Sequence, residues 1–184
     1  MLDRRALLKN FLIVSAGVLV LPACVQEKSK AGILLKNMQV SGSEEALLAE
    51  VSETIIPVTD APGAKDLYTH LFALKMLDDL SSKEDQQTFM KGLNALDKFS
   101  QQKVKETFIK ASPAQREIVL LAIEKGEDAP NDLRAFYKKL KGLTIQAYVT
   151  SKHYLTKVQP YQLVPGYFKG CAPVKPSNKK AYTV

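Results

Sequence analysis

Residues that carry chemistry are scarce in this chain. Only two histidines are present, His70 and His153, and neither has a His or Cys three or four positions away. That excludes a metal-binding pair on one face of a helix. The two cysteines, Cys24 and Cys171, belong to no Cys-x-x-Cys-His, so there is no covalent haem attachment. No Gly-x-Gly-x-x-Gly and no Gly-x-x-x-x-Gly-Lys occurs, which removes the usual dinucleotide and phosphate cradles. A Gly-x-Ser-x-Gly nucleophile elbow is missing as well. Glu53 and Asp60 flank an Ile-Ile-Pro turn and would be the one acid/base pair to consider. Nothing around them in sequence builds a pocket that would shift their pKa values, and Asp60 reads more simply as a cap on the turn or on the next helix. No nucleophile, base and oxyanion donor assemble, so catalysis is not expected of this chain.

Long apolar runs are missing too. The longest nearly uninterrupted one, Phe11 to Leu21, is 11 residues. A membrane-spanning helix needs roughly 20, whereas the apolar part of an export signal needs about 7–15. Arg4 and Arg5 supply the positive end of such a signal, and with Lys9 they fit the twin-arginine export pattern, Ala6 being a departure from it. Leu21-Pro22-Ala23-Cys24 resembles a lipoprotein lipobox, with Pro22 an unusual residue inside it. The alternatives are an ordinary leader cut near Ala23 and an uncleaved anchor. Acylation of Cys24 would leave Cys171 without a partner in the chain, either as a buried or free thiol or in a disulfide to another chain.

The formal charge is +7, carried by scattered lysines rather than by a compact basic patch interleaved with aromatics. Nucleic acid is therefore not an expected partner, while an acidic protein or anionic lipid would be weakly attracted. With 184 residues, 46% of them apolar and 24% charged, there is material for one domain with its own core.

The expected organisation is a signal at 1–24, a polar lysine-rich tether at 25–42, a helical domain at 43–158 and an extended tail at 159–184. Ser41 and Ser43 cap a first helix with Leu47, Leu48, Val51 and Ile55 on one face, stopped by Pro57. A second helix from Ala64 carries Leu67, Leu71, Leu74 and Leu77. Ser81 with Glu84 forms a capping box for a third, bearing Phe89, Leu93 and Leu96. A short piece with Val104 and Phe108 follows. Ser112-Pro113-Ala114-Gln115 opens a helix whose run from Ile118 to Ile123 predicts the most buried member of the set, ended by Gly126. Asn131 caps the last and longest, with Leu133, Phe136, Tyr137, Leu140, Leu143, Ala147 and Tyr148 as its stripe and Lys138, Lys139 and Lys141 on a solvated side. The class is all-α: a compact bundle of about five or six helices. The tail, rich in Pro and Gly, holds Tyr161, Tyr167 and Phe168 and either packs back on the helices or lies against a partner.

Two stretches resemble a known family. Glu53-Thr54-Ile55-Ile56-Pro57-Val58-Thr59-Asp60-Ala61-Pro62-Gly63-Ala64 is similar to the signature of the gluconate 2-dehydrogenase subunit 3 family, the small subunits of membrane-bound flavin sugar and polyol dehydrogenases. Tyr148-Val149-Thr150-Ser151, then Val164-Pro165-Gly166-Tyr167 through Gly170-Cys171, resemble the family's closing segment. The resemblance implies a non-catalytic accessory subunit without a cofactor of its own. FAD would sit in a large partner subunit, and haem c in a cytochrome subunit where one is present. The twin-arginine translocase would export the pair to the periplasmic side of the envelope. Arg4 and Arg5 would be the export determinants, and Pro57, Asp60, Pro62, Gly63, Tyr161, Pro165, Tyr167 and Phe168 partner contacts. The lipobox-like Cys24 departs from the family and would add a lipid anchor of its own, and Cys171 would be either buried or in a disulfide to the large subunit. The alternative is a stand-alone periplasmic helical lipoprotein that binds another protein or a ligand.

Overall fold

The computed structural model describes residues 32–159 together with Val164 and Gly166. The chain divides into two units, Met1–Tyr148 and Val149–Val184. Among the described residues every regular element is helical: α1 (Gly42–Ile55), α2 (Thr69–Leu80), α3 (Lys83–Val104), α4 (Pro113–Lys125), α5 (Asn131–Val149) and a single π-helical turn, Tyr154–Val158. The all-α expectation therefore holds.

Ser41 starts α1 through a full capping box. Its hydroxyl accepts from Glu44 N at 3.3 Å, and the Glu44 carboxylate accepts from Ser41 N at 2.8 Å. Ser43 lies inside the first turn. Leu47, Leu48 and Val51 are buried, and Ile55 packs at the edge of the core. α1 packs against α2 and α4, and α3 against α4. The core between them is built from Leu74, Leu77, Leu93, Leu96, Val119 and Ile123, with α5 adding Leu133, Phe136 and Leu140. Burying one such side chain is worth about 1.5–3 kcal/mol, so this cluster dominates the stability of the body.

Several boundaries differ from the sequence expectation. α2 begins at Thr69, not Ala64. Residues 64–68 are taken up by turns, with Thr69 N donating to Ala64 O at 3.1 Å, and Tyr68 stands in the left-handed region at φ 52°. Its buried face accordingly runs through His70, Ala73, Leu74 and Leu77, while Leu67 and Leu71 are half-buried. The cap of α3 is Ser82, whose hydroxyl accepts from Asp85 N at 3.1 Å; Ser81 instead closes α2. The buried Gln86 amide decides between the two serines. It donates to the carbonyls of Leu77, Asp78 and Ser81 at 2.9, 3.3 and 3.3 Å, which holds Ser81 to the end of α2.

Among the described residues the longest helix is α3 with 22 residues, against 19 for α5. α4 keeps its expected capping box at Ser112 and its left-handed Gly126 end, but it is not the most buried helix. A continuous apolar run wraps every side of a helix, and Ile118 and Leu121 point outward at 55% and 45% exposure. α5 buries its expected stripe apart from Tyr148, which is half-buried.

Within the stretch expected to act as a tether, residues 36–38 dock on the body. The buried Asp78 carboxylate accepts from the backbone amides of Lys36, Asn37 and Met38 at 2.7, 2.7 and 2.9 Å, and Met38 enters the core. Burial pushes the Asp78 carboxyl up, but the three amides outweigh it and hold it below the usual aspartate range.

Candidate functional site: the turn between α1 and α2

The segment singled out as a signature forms the connection from α1 to α2. Pro57 prevents α1 from continuing, and Ile56 N closes it onto Ser52 O at 3.0 Å. The chain then leaves the body and returns, with Ala64 N donating to Ile56 O at 2.9 Å across the neck of the loop.

Glu53 organises this neck. Its two carboxylate oxygens accept from Val58 N at 3.0 Å and Lys65 N at 2.9 Å, one amide from each limb. Gly63 passes directly over that carboxylate. A Cβ there would lie 2.5 Å from both Glu53 oxygens, so glycine is required by close approach. Tyr148 on α5 holds the returning limb, its hydroxyl donating to Pro62 O at 3.2 Å. One turn earlier on α1, Glu50 forms ion pairs with Lys65 and with Arg116 of α4. The Lys65 ammonium, opposed by burial and aided by the Arg116 guanidinium, holds the Glu50 carboxyl below its usual range. Arg116 also donates to Phe108 O at 2.9 Å and Ile109 O at 2.6 Å, tying the loop before α4 into the same cluster.

Above this base the tip is presented to solvent. Pro57, Val58, Thr59 and Asp60 are exposed, and Pro62 is half-buried. Asp60 serves the turn itself, its carboxylate accepting from Thr59 Oγ1 at 3.1 Å. The expected contact residues thus separate into a buried fastening, Gly63, and an exposed rim, Pro57 and Asp60. Glu53, weighed from sequence only as an acid/base partner for Asp60, is committed to backbone amides. The signal that could have identified its role was the spacing of Glu50 and Glu53 on one edge of α1, just ahead of a loop whose amides have no helical carbonyl to bond.

Arg4, Arg5, Cys24, Tyr161, Pro165, Tyr167, Phe168 and Cys171 lie outside the described residues. Among those described, no three His, Cys, Asp or Glu side chains are grouped to hold a metal ion. No described helix is long and apolar enough to cross a membrane.

The family described as Gluconate 2-dehydrogenase subunit 3 matches residues 42–166. The chain belongs to this family. The match opens at the first residue of α1 and closes inside the Pro-Gly segment of the tail, so it takes in the whole helical body and the signature turn. No curated protein and no solved structure matched the chain. Membership makes this protein a subunit of a multi-subunit dehydrogenase.

Proposed function

We propose that the chain is the non-catalytic small subunit of an exported flavin-dependent sugar or polyol dehydrogenase, and that it aids twin-arginine export, maturation and stability of the catalytic subunit. The observation that carries this reading is the family match over the whole helical body. The signature turn supports it, because its acidic residue Glu53 fastens backbone while its exposed tip is offered outward, which is the build of a contact loop. The cofactor chemistry then belongs to partner chains: FAD in the large subunit, and haem c in a cytochrome subunit where the complex has one. Arg4 and Arg5 direct export of the assembled pair, Cys24 anchors it by lipid on the periplasmic side, and Cys171 forms a disulfide to the partner.

The test is export of the flavin-binding chain in cells carrying Arg4→Lys/Arg5→Lys. The expected result is retention of that chain in the cytoplasm, measured by fractionation and flavin content. Unchanged export of the flavin chain would remove the escort role. Purification of a monomer with no flavoprotein attached would favour a stand-alone lipoprotein.

A further inference from the structure

α5 has an outer face that no other element covers among the described residues. Between α3 and α5 runs a groove of about 460 Å³. Leu77, Phe89, Phe136 and Leu143 form its apolar floor, and Lys138 and Lys139 stand on its rim. The groove exists because two positions on that face, seven residues apart, carry almost no side chain: Ala135 and Gly142. Glycine is the poorest ordinary residue for a helix interior. Packing within the body does not require it at Gly142, since a Cβ there would meet nothing within 4 Å. Glycine at such a position suits the close approach of another backbone.

The charges on the rim point the same way. Lys138 and Lys139 are exposed and join none of the ion pairs formed among the described residues, whereas their neighbour Lys141 is paired with Glu124 at 2.6 Å. Asp85, the acidic member of the rim, lies in the first turn of α3, where the helix dipole favours it. Two cations without an ion-pair partner among the described residues, beside an apolar floor, complement a segment that is apolar on one side and acidic along its edge.

We propose that this groove seats a helix of the catalytic partner subunit, with apolar side chains at helical spacing on the floor and carboxylates facing Lys138 and Lys139. The inference rests on the subunit reading above and adds where the partner sits and what its docking segment is made of. Ala135 and Gly142 are positioning residues that let the two backbones approach, and the lysines set orientation.

The experiment uses the full chain, tagged and co-expressed with the flavin-binding chain of its host. Flavin absorbance per tagged chain reports assembly. Ala135→Leu/Gly142→Leu fills the groove with good helix formers, so the isolated variant should keep its helicity and thermal midpoint while flavin recovery falls at least tenfold. Lys138→Glu/Lys139→Glu should reduce recovery as well, and Lys138→Arg/Lys139→Arg should preserve it. A benzoylphenylalanine cross-linker in place of Thr88, which lines the groove, should capture a peptide of the flavin chain with Asp or Glu flanking its apolar residues. Full recovery in the filled variant would overturn the proposal, as would a cross-link confined to residues 160–184 of the same chain or to a second copy. If the unmodified chain recovers no flavin, the subunit reading falls with it; if the unmodified and filled chains recover it equally, the groove alone falls.

Discussion

The two faces of the α3–α5 pair treat glycine in opposite ways. At Gly92 the helices are in such close contact that a Cβ would sit 2.4 Å from both Asp132 O and Phe136 Cβ. Phe89 and Phe136 pack beside this point with ring centroids 4.8 Å apart and planes tilted by 58°. At Gly142 a Cβ would meet nothing. The first glycine is explained by packing among the described residues, and the second is not. A residue type that weakens a helix is thus retained at one site for a contact inside the molecule, while at the other no contact among the described residues accounts for it.

The largest expected effect tests the closed side. Gly92→Ala gains about 1 kcal/mol of helix propensity, but the new methyl strikes a backbone carbonyl and a Cβ, neither of which can rotate away. A net loss of ~2–3 kcal/mol is expected, near the upper end for overpacking, read as a lowered denaturant midpoint with unchanged slope. A loss below ~0.5 kcal/mol would mean that the helices separate easily there, and the contrast with Gly142 would lose its meaning.

Asp78 is another closed joint, made by charge instead of shape. Asp78→Ala releases three backbone amides at residues 36–38. Lys36 and Asn37 are exposed enough for water to replace part of what is lost, so about 2 kcal/mol is expected. The pH dependence follows from the lowered carboxyl pKa. A folded-state pKa below the ordinary 3.8 contributes stability that is fully present above that value and is lost as pH falls through the folded pKa. Urea titrations of the two proteins should therefore converge as the pH drops below 3.8, the unmodified chain losing more. Parallel curves would show that the amides are held by something other than the ionised carboxylate.

Gly63 tests the same kind of closeness in the signature turn. Gly63→Ala pushes on the Glu53 carboxylate, which is the mobile end of a side chain and can yield. Yielding weakens its bonds to Val58 N and Lys65 N, for an expected loss of about 1–1.5 kcal/mol. Hydrogen exchange at those two amides should accelerate more than exchange in α1. Equal acceleration throughout would place the damage in the helix and not in the neck of the turn.

Local chemistry made much of this legible in advance. The Ser112-Pro113 start of α4 and its Gly126 end are set by groups within four residues, and both stand where the sequence places them. The α5 stripe follows from periodicity alone. Choices made by distant partners were not legible. Ser81 and Ser82 offer equivalent caps in sequence, and Gln86 reaching back to three carbonyls selects between them. The late start of α2 depends on a neck held by Glu53 from the preceding helix. Residues 36–38 look like tether until Asp78, some forty positions later, binds their amides. In the candidate site the motif was recognisable, but the division of Gly63 as fastening from Pro57 and Asp60 as exposed rim is set by how the Glu53 carboxylate packs under the returning limb. The groove escaped because Lys138 and Lys139 look like any solvated helix face until the aromatic floor beside them is known.

The smallest effect has the opposite sign and tests the open side. Gly142→Ala adds a methyl to an exposed helix interior where, beyond the backbone of its own turn, no described atom lies within 4 Å. The isolated chain should become more stable by about 0.5–1 kcal/mol, through helix propensity and a less flexible unfolded chain. If a partner backbone lies against this position, the same methyl should weaken assembly with the flavin subunit even as it strengthens the fold. A stabilised chain that assembles less well would show that Gly142 answers to a contact beyond this molecule. A stabilised chain that assembles equally well would leave the glycine with no role in docking and return Lys138 and Lys139 to an ordinary solvated face.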